Sequence, residues 1–345
     1  MKDTKRARII RGLKQLVLSS GNGISRSDAA EKLQIDLRTA AFYLEQLSDS
    51  GLLVRETAPV SGKGRPGTIY CSNAGKLCFM GLQIDNMHSC TAVVVDSGGR
   101  ELVRDALSFP ENSSRLRVFN TILELIMRYK NFDNRMLCGV GMAISRWLQP
   151  PLAGEDVYAN LSDFLERESG VPVHRDIKIN ALAFALAREL DCRDLAVVHA
   201  GRVLEFGLVL DGVPNGDFSR REAWLAHLCV NPDGRRCYCG KHGCLENYIT
   251  SGALNERLQN NPGNATVRAL GEMLGTAMVR LARKYPVKAI LLIGLDELFP
   301  AAETYFSDRV PTGVRLATRT LVPLADCGAA LESAYYELYR YTQDV

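Results

Sequence analysis

The chain has 345 residues, of which 46% are apolar and 23% are charged. This composition is typical of folded globular protein and excludes a disordered chain, and the length favours two or three domains. No segment approaches the roughly 20 continuous apolar residues of a membrane helix, and the N-terminal sequence lacks the apolar core of a signal peptide. We therefore expect a cytoplasmic protein with no membrane partner, in which the ten cysteines form no disulfide framework.

The small net charge of +3 is unevenly distributed along the chain. Residues 1–70 contain 12 Lys and Arg against 7 Asp and Glu, whereas the remainder contains 30 against 32. The excess of positive charge therefore lies in the N-terminal segment, which is where a partner as acidic as nucleic acid would bind.

The basic segment begins with a predicted amphipathic helix. Its apolar face repeats at helical spacing and consists of Ile9, Ile10, Leu13, Leu16 and Val17. The cations of the opposite face are Lys5, Arg6, Arg8, Arg11 and Lys14.

Two short capped helices follow and predict a helix-turn-helix. Ser25 caps the first of them, and its predicted inward residues are Ala29, Ala30 and Leu33. Asp36 caps the second, and its predicted inward residues are Leu37, Ala40, Ala41, Leu44 and Leu47. The second helix of such a motif enters the major groove of DNA. We expect its outward residues to contact a double-stranded operator, namely Arg38, Thr39, Phe42, Tyr43 and Gln46.

A predicted β-hairpin with a basic Gly/Pro-rich tip, SGKGRPGT, completes the segment as a wing. Lys63 and Arg65 at this tip are expected to meet phosphates or the minor groove. The alternative is a protein-docking module whose charges are merely a solvated face.

After Cys78, predicted strands and helices alternate, which is typical of an α/β fold. The predicted strands include 79–84, 138–144, 195–201 and 288–294, and the predicted helices include 116–129, 180–190, 265–285 and 329–341. Two strand-rich blocks suggest two lobes with a ligand cleft between them. The predicted domains are a winged helix over 1–77, a first lobe over 78–190 completed by a C-terminal helix over 326–345, and a second lobe over 191–325.

Three closely spaced cysteines, Cys237, Cys239 and Cys244, follow His227 within eighteen residues. Short segments between thiols let them converge on one zinc ion at roughly 2.3 Å. The alternative is a set of unrelated buried cysteines, since free cysteine is among the most buried residue types.

The order of basic winged helix, G-R-P wing, alternating lobes and C-x-C-G-x-x-G-C-L-E resembles the ROK family of sugar-responsive repressors and sugar kinases. The resemblance implies a two-lobed actin-like ATPase fold behind the winged helix-turn-helix. It also implies one structural zinc per chain, held by His227, Cys237, Cys239 and Cys244, with Cys229 and His242 as nearby spare ligands. Such a closed four-ligand site leaves no open position for catalysis.

The resemblance also locates the positions where kinase chemistry would occur. The family's E-N-D-A-N motif supplies the base that deprotonates a sugar hydroxyl, and here it reads Asp176-Ile-Lys-Ile-Asn180. Lys178 therefore occupies the position of the base, and a protonated lysine cannot accept that proton. A shifted register would make Asp176 the base instead.

The phosphate loops and the sugar site are altered as well. The first loop, G-I-D-I-G-G-T in the family, is Gly81-LQIDNM here, and the second, G-T-G-x-G-x-G, is Gly201-RVLEFG. Glycines let the backbone approach phosphates, so their loss places side chains there. Trp224 replaces the family's sugar-contacting Glu, whereas Asn160, His227 and Glu246 are retained.

These features predict a DNA-binding transcriptional regulator of the ROK type, most simply a repressor, whose body is not an enzyme. The body would dimerise on palindromic operators and sense a sugar-like or protein effector through Asn160, Lys178 and Glu246. Two interpretations of Lys178 remain open. It could bind an anionic ligand, or it could form an ion pair with Asp176 or Glu246. The alternative function is an ATP-dependent sugar kinase that carries an N-terminal winged helix.

Overall fold

The computed structural model describes residues 5–19, 23–57, 67–86, 88–148, 158, 160–214, 223–310, 313–320 and 328–331. Its helices are α1 (Lys5–Ser19), α2 (Arg26–Leu33), α3 (Leu37–Asp49), α4 (Arg115–Tyr129), α5 (Leu161–Ser169), α6 (Lys178–Glu189), α7 (Ala223–Ala226), α8 (Glu246–Ile249), α9 (Ser251–Asn260), α10 (Asn264–Lys284) and α11 (Phe299–Ser307). Its strands are β1 (Ile24–Ser25), β2 (Leu53–Thr57), β3 (Thr68–Ser72), β4 (Leu77–Asn86), β5 (Ser89–Asp96), β6 (Glu101–Ser108), β7 (Asn131–Phe132), β8 (Arg135–Ile144), β9 (Val173–Ile177), β10 (Leu195–Ala200), β11 (Leu204–Leu210), β12 (Val213–Pro214), β13 (Ala289–Ile293) and β14 (Arg315–Arg319). Among the described helices, none combines the length and the apolarity that crossing a bilayer requires.

The N-terminal unit comprises α1 to α3 and a three-stranded sheet of order β1-β3-β2. Both predicted caps are confirmed: the Asp28 N–H donates to Ser25 Oγ at 3.1 Å, and the Thr39 N–H donates to Asp36 Oδ1 at 2.8 Å. β2 and β3 form the predicted antiparallel hairpin, whose tip, residues 58–66, lies outside the described residues. The fully buried core side chains include Leu13, Ala29, Ala40, Leu44 and Tyr70.

Leu37 and Lys14 do not point in the predicted directions. Leu37, expected to point inward, is 55% exposed because the apolar stripe of α3 extends one turn beyond the core that covers it. Lys14, expected on the polar face of α1, is only 3% exposed because the part of α1 that carries Ile10 and Lys14 lies against the first lobe.

The first lobe is built on a six-stranded sheet of order β6-β5-β4-β8-β7, with β9 beside β8. β4, β8 and β9 run parallel to one another, whereas β5 and β6 are antiparallel neighbours at the edge. Helices α4 and α5 cover one face around Leu82, Ile122 and Leu161. On the other face Ala330 packs against Phe79, whereas Ala329 and Leu331 belong to the cluster around α6. Apart from residues 328–331, the predicted segment 326–345 lies outside the described residues.

The second lobe has a five-stranded sheet of order β12-β11-β10-β13-β14, packed against α10 and α11. α6, buried along most of its length, packs against β8 in the first lobe and against β10 and β11 in the second. The α/β prediction is thereby confirmed, although the helix predicted over 180–190 begins two residues earlier, at Lys178. The carboxyl ends of β4, β8 and β9 and the start of α6 therefore meet at one edge of the first sheet.

Candidate metal centre and adjoining cleft

Four side chains converge in the segment that precedes α8. The possible ligand atoms of His227, Cys237, Cys239 and Cys244 all lie within 4.8 Å of one another. The Sγ atom of Cys237 is 3.5 Å from Nδ1 of His227, and the Sγ atoms of Cys239 and Cys244 are 3.6 Å apart. Ligands placed roughly 2.0–2.3 Å from a single ion are separated by distances of this size. The fold therefore assembles one imidazole and three thiols into a set suited to a tetrahedral metal ion.

Two tight turns give the cysteine segment its shape. Gly240 and Gly243 adopt φ angles of 88° and 66°, in the left-handed region that favours glycine. The Cys237 N–H donates to the Lys241 carbonyl at 2.7 Å and closes the first turn. A Cβ at Gly243 would overlap the carbonyl of Asn231, so a side chain there would displace the segment that carries Cys244.

The two spare ligands lie apart from this cluster. Cys229 is exposed, although its backbone pairs with that of Cys244. His242 lies with its Nδ1 atom 3.1 Å from the carbonyl oxygen of Gly234. Neither side chain belongs to the group of four whose possible ligand atoms lie within 4.8 Å of one another.

Thiol ionisation in the cluster depends on a cation. Burial raises the pKa of the Cys244 thiol to about 12. Burial also acts to raise the pKa of Cys239, but hydrogen bonds from the Lys241 N–H and from neighbouring thiols hold it below its usual value. Metal ligation requires thiolates, and a bound cation supplies the positive charge that stabilises them. Metal binding at this centre should therefore release protons.

Glu246 connects the metal centre to the second sheet. It is only 5% exposed, and its Oε2 lies 3.7 Å from Nδ1 of His227. Its Oε1 accepts the N–H of Leu204 in β11 at 3.2 Å. At 3.7 Å this oxygen makes no hydrogen bond to the imidazole, but it places a negative charge beside the metal centre.

Lys178, at the first position of α6, forms an ion pair with Asp85 near the end of β4. The ammonium Nζ is 2.6 Å from Oδ1 of Asp85, and Ser145 Oγ donates to the same oxygen at 2.9 Å. Gln83 donates to the other carboxylate oxygen. Burial acts to raise the pKa of Asp85, but the charge of Lys178 holds this pKa below its ordinary value. The predicted pairing of Lys178 with Asp176 or Glu246 is therefore wrong, because Asp85 accepts the charge.

Asp176 lies at the end of β9 with both lobes close by. Its Oδ1 accepts the Ile177 N–H at 2.6 Å and Nδ2 of Asn180 at 2.8 Å. Burial nevertheless raises the pKa of Asp176 to about 6. It is a half-buried carboxyl that is held by donors but lacks an ion-pair partner among the described residues.

A series of contacts links the ion pair to the metal centre across the cleft. Ser145, which binds Asp85, is followed by Arg146, whose Nη1 donates to the Leu204 carbonyl at 3.4 Å. Leu204 in turn donates its N–H to Glu246 beside the metal ligands. The two lobes are thus joined where a ligand cleft was expected.

The segment Gly201–Gly207 is filled by side chains. Glu205 is buried, with Oε2 3.2 Å from Nδ1 of His199 and with Oε1 unbonded in the described structure. A Cβ at Gly201 would meet the His199 ring, and one at Gly207 would overlap the carbonyl of Ile179. Close packing therefore accounts for the glycines at positions 201 and 207, and no phosphate contact is needed to explain them.

Comparison with known proteins identifies the family. The model of the ROK family matches residues 84–290, more than half of the chain. The chain belongs to the ROK family. It is 24% identical over 255 residues to the DNA-binding transcriptional dual regulator NagC of Escherichia coli K12, and the match covers 69% of this chain and 61% of NagC.

The fold agrees with solved ROK structures of both kinds. A ROK family transcriptional regulator, described as a homologue of the E. coli MLC protein, superposes with a TM-score of 0.72 at 18% identity, covering 96% of this chain and 97% of that one. The ROK hexokinase of Thermus thermophilus superposes with a TM-score of 0.62 at 20% identity, covering 76% of this chain and 99% of the hexokinase. The two-lobed ROK fold is thereby shown, and it is shared by regulators and kinases.

Two other positions that the family resemblance assigns to the sugar site are Trp224 and Asn160. The ring of Trp224 lies 6.4 Å from that of Phe206, and Nζ of Lys284 stands 4.2 Å from its centroid. Asn160 is exposed with a left-handed φ of 64° at the start of α5. No hydrogen bond or ion pair among the described residues joins Asn160 to Lys178 or Glu246, and an effector role for these three residues stays a prediction.

The predicted DNA-reading face of α3 is only partly exposed. Arg38 is exposed and Phe42 is 63% exposed, with the ring of Tyr43 edge-on to it at 5.1 Å. Tyr43 also packs against the core of the N-terminal unit, and Thr39 Oγ1 donates to Asp36 at 2.6 Å. Arg38 and Phe42 are therefore the most accessible of the predicted contacts.

Gln46 departs from the prediction. It lines a cavity between the N-terminal unit and the first lobe, and its Oε1 is buried without a hydrogen bond from the described residues. Gln46 is half-buried because the end of α3 lies against the first lobe. Lys63 and Arg65 of the predicted wing lie outside the described residues.

Sequence reasoning missed the role of Asp85 as the partner of Lys178. Both substitutions were visible as departures from the family motifs, but they lie 93 positions apart. Their opposite charges were the signal that could have suggested the pair.

Proposed function

We propose that this chain is a ROK-type transcriptional regulator whose body has lost phosphoryl transfer. The observation that carries this proposal is the Lys178–Asp85 ion pair at 2.6 Å. In the register of the family resemblance, the cation stands at the position of the base and the carboxylate at a glycine position of the first phosphate loop. Transfer from ATP needs the reverse, namely a carboxylate base and phosphate oxygens held by backbone N–H groups and cations.

The second phosphate loop supports the same conclusion. Glu205 occupies a position where the family motif has glycine, and a buried carboxylate repels the phosphates of a nucleotide. The second phosphate loop lies in the second lobe, whereas the ion pair lies in the first. The residues that would bind phosphate and those that would deprotonate the sugar are therefore altered independently.

In the proposed regulator, α3 enters the major groove with Arg38 and Phe42 toward the bases, while Lys63 and Arg65 of the wing contact phosphates. The chain would bind as a homodimer to a palindromic operator. The centre of His227, Cys237, Cys239 and Cys244 would hold one structural zinc, which suits its imidazole and three thiols.

Any sugar-like effector of the cleft would have to compete with contacts that already exist. Lys178 is engaged by Asp85, and Glu246 is engaged by Leu204. A protein effector that acts on an exposed surface of the body makes no such demand. The effector therefore acts through a surface or through displacement of the ion pair.

DNA binding is tested directly with a pool of random duplexes and the purified full chain. Rounds of selection at low salt should enrich a palindromic sequence, and Arg38→Ala should change which sequence is enriched. Arg117→Ala, an exposed arginine of α4 in the first lobe, is the matched control and should enrich the same sequence. Failure of the unmodified chain to retain any duplex at low salt refutes the proposal.

A sugar kinase is the second candidate function, and one observation favours it. Burial raises the pKa of Asp176 to about 6, in the range that suits a general base. Activity of this kind would be stimulated by a sugar and would depend on Asp176 rather than on Lys178.

A further inference from the structure

An exposed cysteine lies directly beside the candidate metal centre. Cys229 is exposed, whereas Cys244, one of the four possible ligands, is fully buried. The backbones of these two residues are paired in an isolated antiparallel bridge. The fold therefore places a solvent-accessible thiol opposite a thiol of the ligand set.

The hydrogen bonds around this bridge define how the two residues face each other. The residue after Cys229 donates its N–H to the carbonyl of the residue before Cys244, at 2.9 Å. The residue after Cys244 donates its N–H to the carbonyl of the residue before Cys229, also at 2.9 Å. Cys229 and Cys244 therefore form a non-hydrogen-bonded pair, in which the Cα atoms are about 4.5 Å apart and the side chains leave the same face.

This arrangement suits a disulfide between the two residues. A disulfide joins residues whose Cα atoms are about 4.4–6.8 Å apart, so the backbone of Cys229 and Cys244 is already within reach. The Sγ atom of Cys244 lies 3.7 Å from the carbonyl oxygen of His227, so its thiol is directed toward the segment that carries Cys229. Cys239 is nearer to Cys244, with 3.6 Å between the Sγ atoms, but a metal ion held by the ligand set would engage both of these thiols. Cys229 is the neighbouring thiol that such an ion leaves accessible.

We propose that Cys229 and Cys244 form a reversible disulfide on oxidation by hydrogen peroxide, and that this disulfide removes Cys244 from the metal centre. The Cys229 thiolate attacks one peroxide oxygen and the O–O bond breaks, which gives a sulfenic acid on Cys229 and, after protonation, one water. The Cys244 thiolate then attacks the Cys229 sulfur, so that the S–S bond forms and hydroxide leaves as a second water. The two thiols together lose two electrons, and one hydrogen peroxide is reduced to two waters.

Loss of Cys244 would leave the centre with three ligands, His227, Cys237 and Cys239. Structural zinc sites have four protein ligands, and their binding free energy contributes to folding. Oxidation would therefore release the metal and loosen the segment before α8, and reduction of the disulfide by a dithiol would restore the ligand set. The inference rests on the proposed metal centre and does not depend on DNA binding.

Trypsin digestion makes the disulfide directly identifiable. It separates the relevant segments into three peptides, which are 222–235 with Cys229, 237–241 with Cys237 and Cys239, and 242–257 with Cys244. The full chain is purified under reducing conditions, its zinc content is measured, and it is then oxidised with hydrogen peroxide, alkylated and digested. Mass spectrometry should find peptide 222–235 linked to peptide 242–257, and dithiothreitol should remove the link.

Zinc release during oxidation, followed with a colorimetric chelator, measures the effect on the centre. Cys229→Ser should hold zinc in the reduced protein and release it about tenfold more slowly under peroxide, because the exposed thiol that starts the reaction is missing. Cys192→Ser, which changes a half-buried thiol in the loop before β10, is the matched control and should release zinc as the unmodified chain does.

The proposal is overturned if peptide 242–257 is linked to 237–241, which would make Cys239 the partner of Cys244. It is equally overturned if two copies of peptide 222–235 are linked to each other, or if no linked peptide forms. Zinc release from Cys229→Ser at the rate of the unmodified chain would also contradict it. Protein that lacks zinc before oxidation would refute the metal assignment alone, since the linked peptides still decide whether the disulfide forms.

Discussion

The Lys178 ammonium lies 2.6 Å from the carboxylate of Asp85, and this pair joins the first turn of α6 to the end of β4. The side chain of Lys178 is 16% exposed and that of Asp85 is 39% exposed. The pair is therefore partly shielded from water.

Breaking this pair should destabilise the protein. Lys178→Met should lower the free energy of unfolding by about 1–2 kcal/mol, because Asp85 is left partly buried without its cation. The double variant with Asp85→Asn should be less damaged than the sum of the two single variants, with a coupling of about 1 kcal/mol. Urea unfolding of zinc-saturated protein gives the free energy of unfolding of the unmodified chain, the two single variants and the double variant. If the effects of the two single variants simply add in the double variant, the ion pair contributes nothing to stability.

Asp176 should make stability depend on pH in the opposite sense to an ion-paired carboxylate. Its pKa rises from 3.8 to about 6 in the folded state, so the folded state binds the proton more tightly. Stability should therefore fall as pH rises from about 4 to about 6.

Asp176→Asn should remove this loss, because the amide oxygen can still accept from Ile177 and Asn180. We expect a gain of about 2–3 kcal/mol at pH 7 and almost none at pH 4. Thermal unfolding across this range provides the measurement, with the exposed Asp163→Asn as the control, which should show no gain at either pH. A variant that is less stable than the unmodified chain at pH 7 would contradict the assignment.

The metal centre should contain about one zinc per chain in purified protein. Cys239→Ser should lose both the metal and much of the folding stability, because binding free energy at such sites is folding free energy. Cys229→Ser, which changes the exposed neighbouring thiol, should retain both. Atomic absorption and circular dichroism measure the two effects, and folded, monodisperse protein without metal would refute the assignment.

The wing should contribute affinity without sequence preference. Lys63→Ala and Arg65→Ala should each weaken binding to any duplex and reduce the salt dependence of log K by roughly one unit per lost phosphate contact. Arg38→Ala should instead alter which sequence is preferred. Fluorescence anisotropy over a range of salt concentrations separates the two effects, and an unchanged salt slope in the wing variants would exclude the wing from the interface.

The protein should not consume ATP with any hexose or amino sugar. Restoring a carboxylate by Lys178→Asp should not produce activity, because Asp85 and Glu205 still occupy glycine positions of the phosphate loops. A coupled assay with glucose, N-acetylglucosamine and N-acetylmannosamine measures turnover. Sugar-stimulated turnover that is lost in Asp176→Asn but kept in Lys178→Met would overturn both the assignment of the base and the proposed function.

The sequence by itself determined the features that depend on neighbouring residues. Ser25 and Asp36 cap the helices they were expected to cap, because a cap is satisfied within three residues. The cysteine cluster assembles for a similar reason, since short segments with glycine turns restrict where Cys237, Cys239 and Cys244 can lie.

Only the tertiary structure decided how separate elements meet. Helical periodicity distinguishes an apolar face from a polar one, but it carries no information about a second domain that packs on the polar face. Lys14 and Gln46 were therefore expected at the surface, yet they line a cavity against the first lobe. Lys178 could not be paired correctly for the same reason: its partner, Asp85, comes from a strand 93 positions earlier, which only the parallel order of β4, β8 and β9 brings to the start of α6.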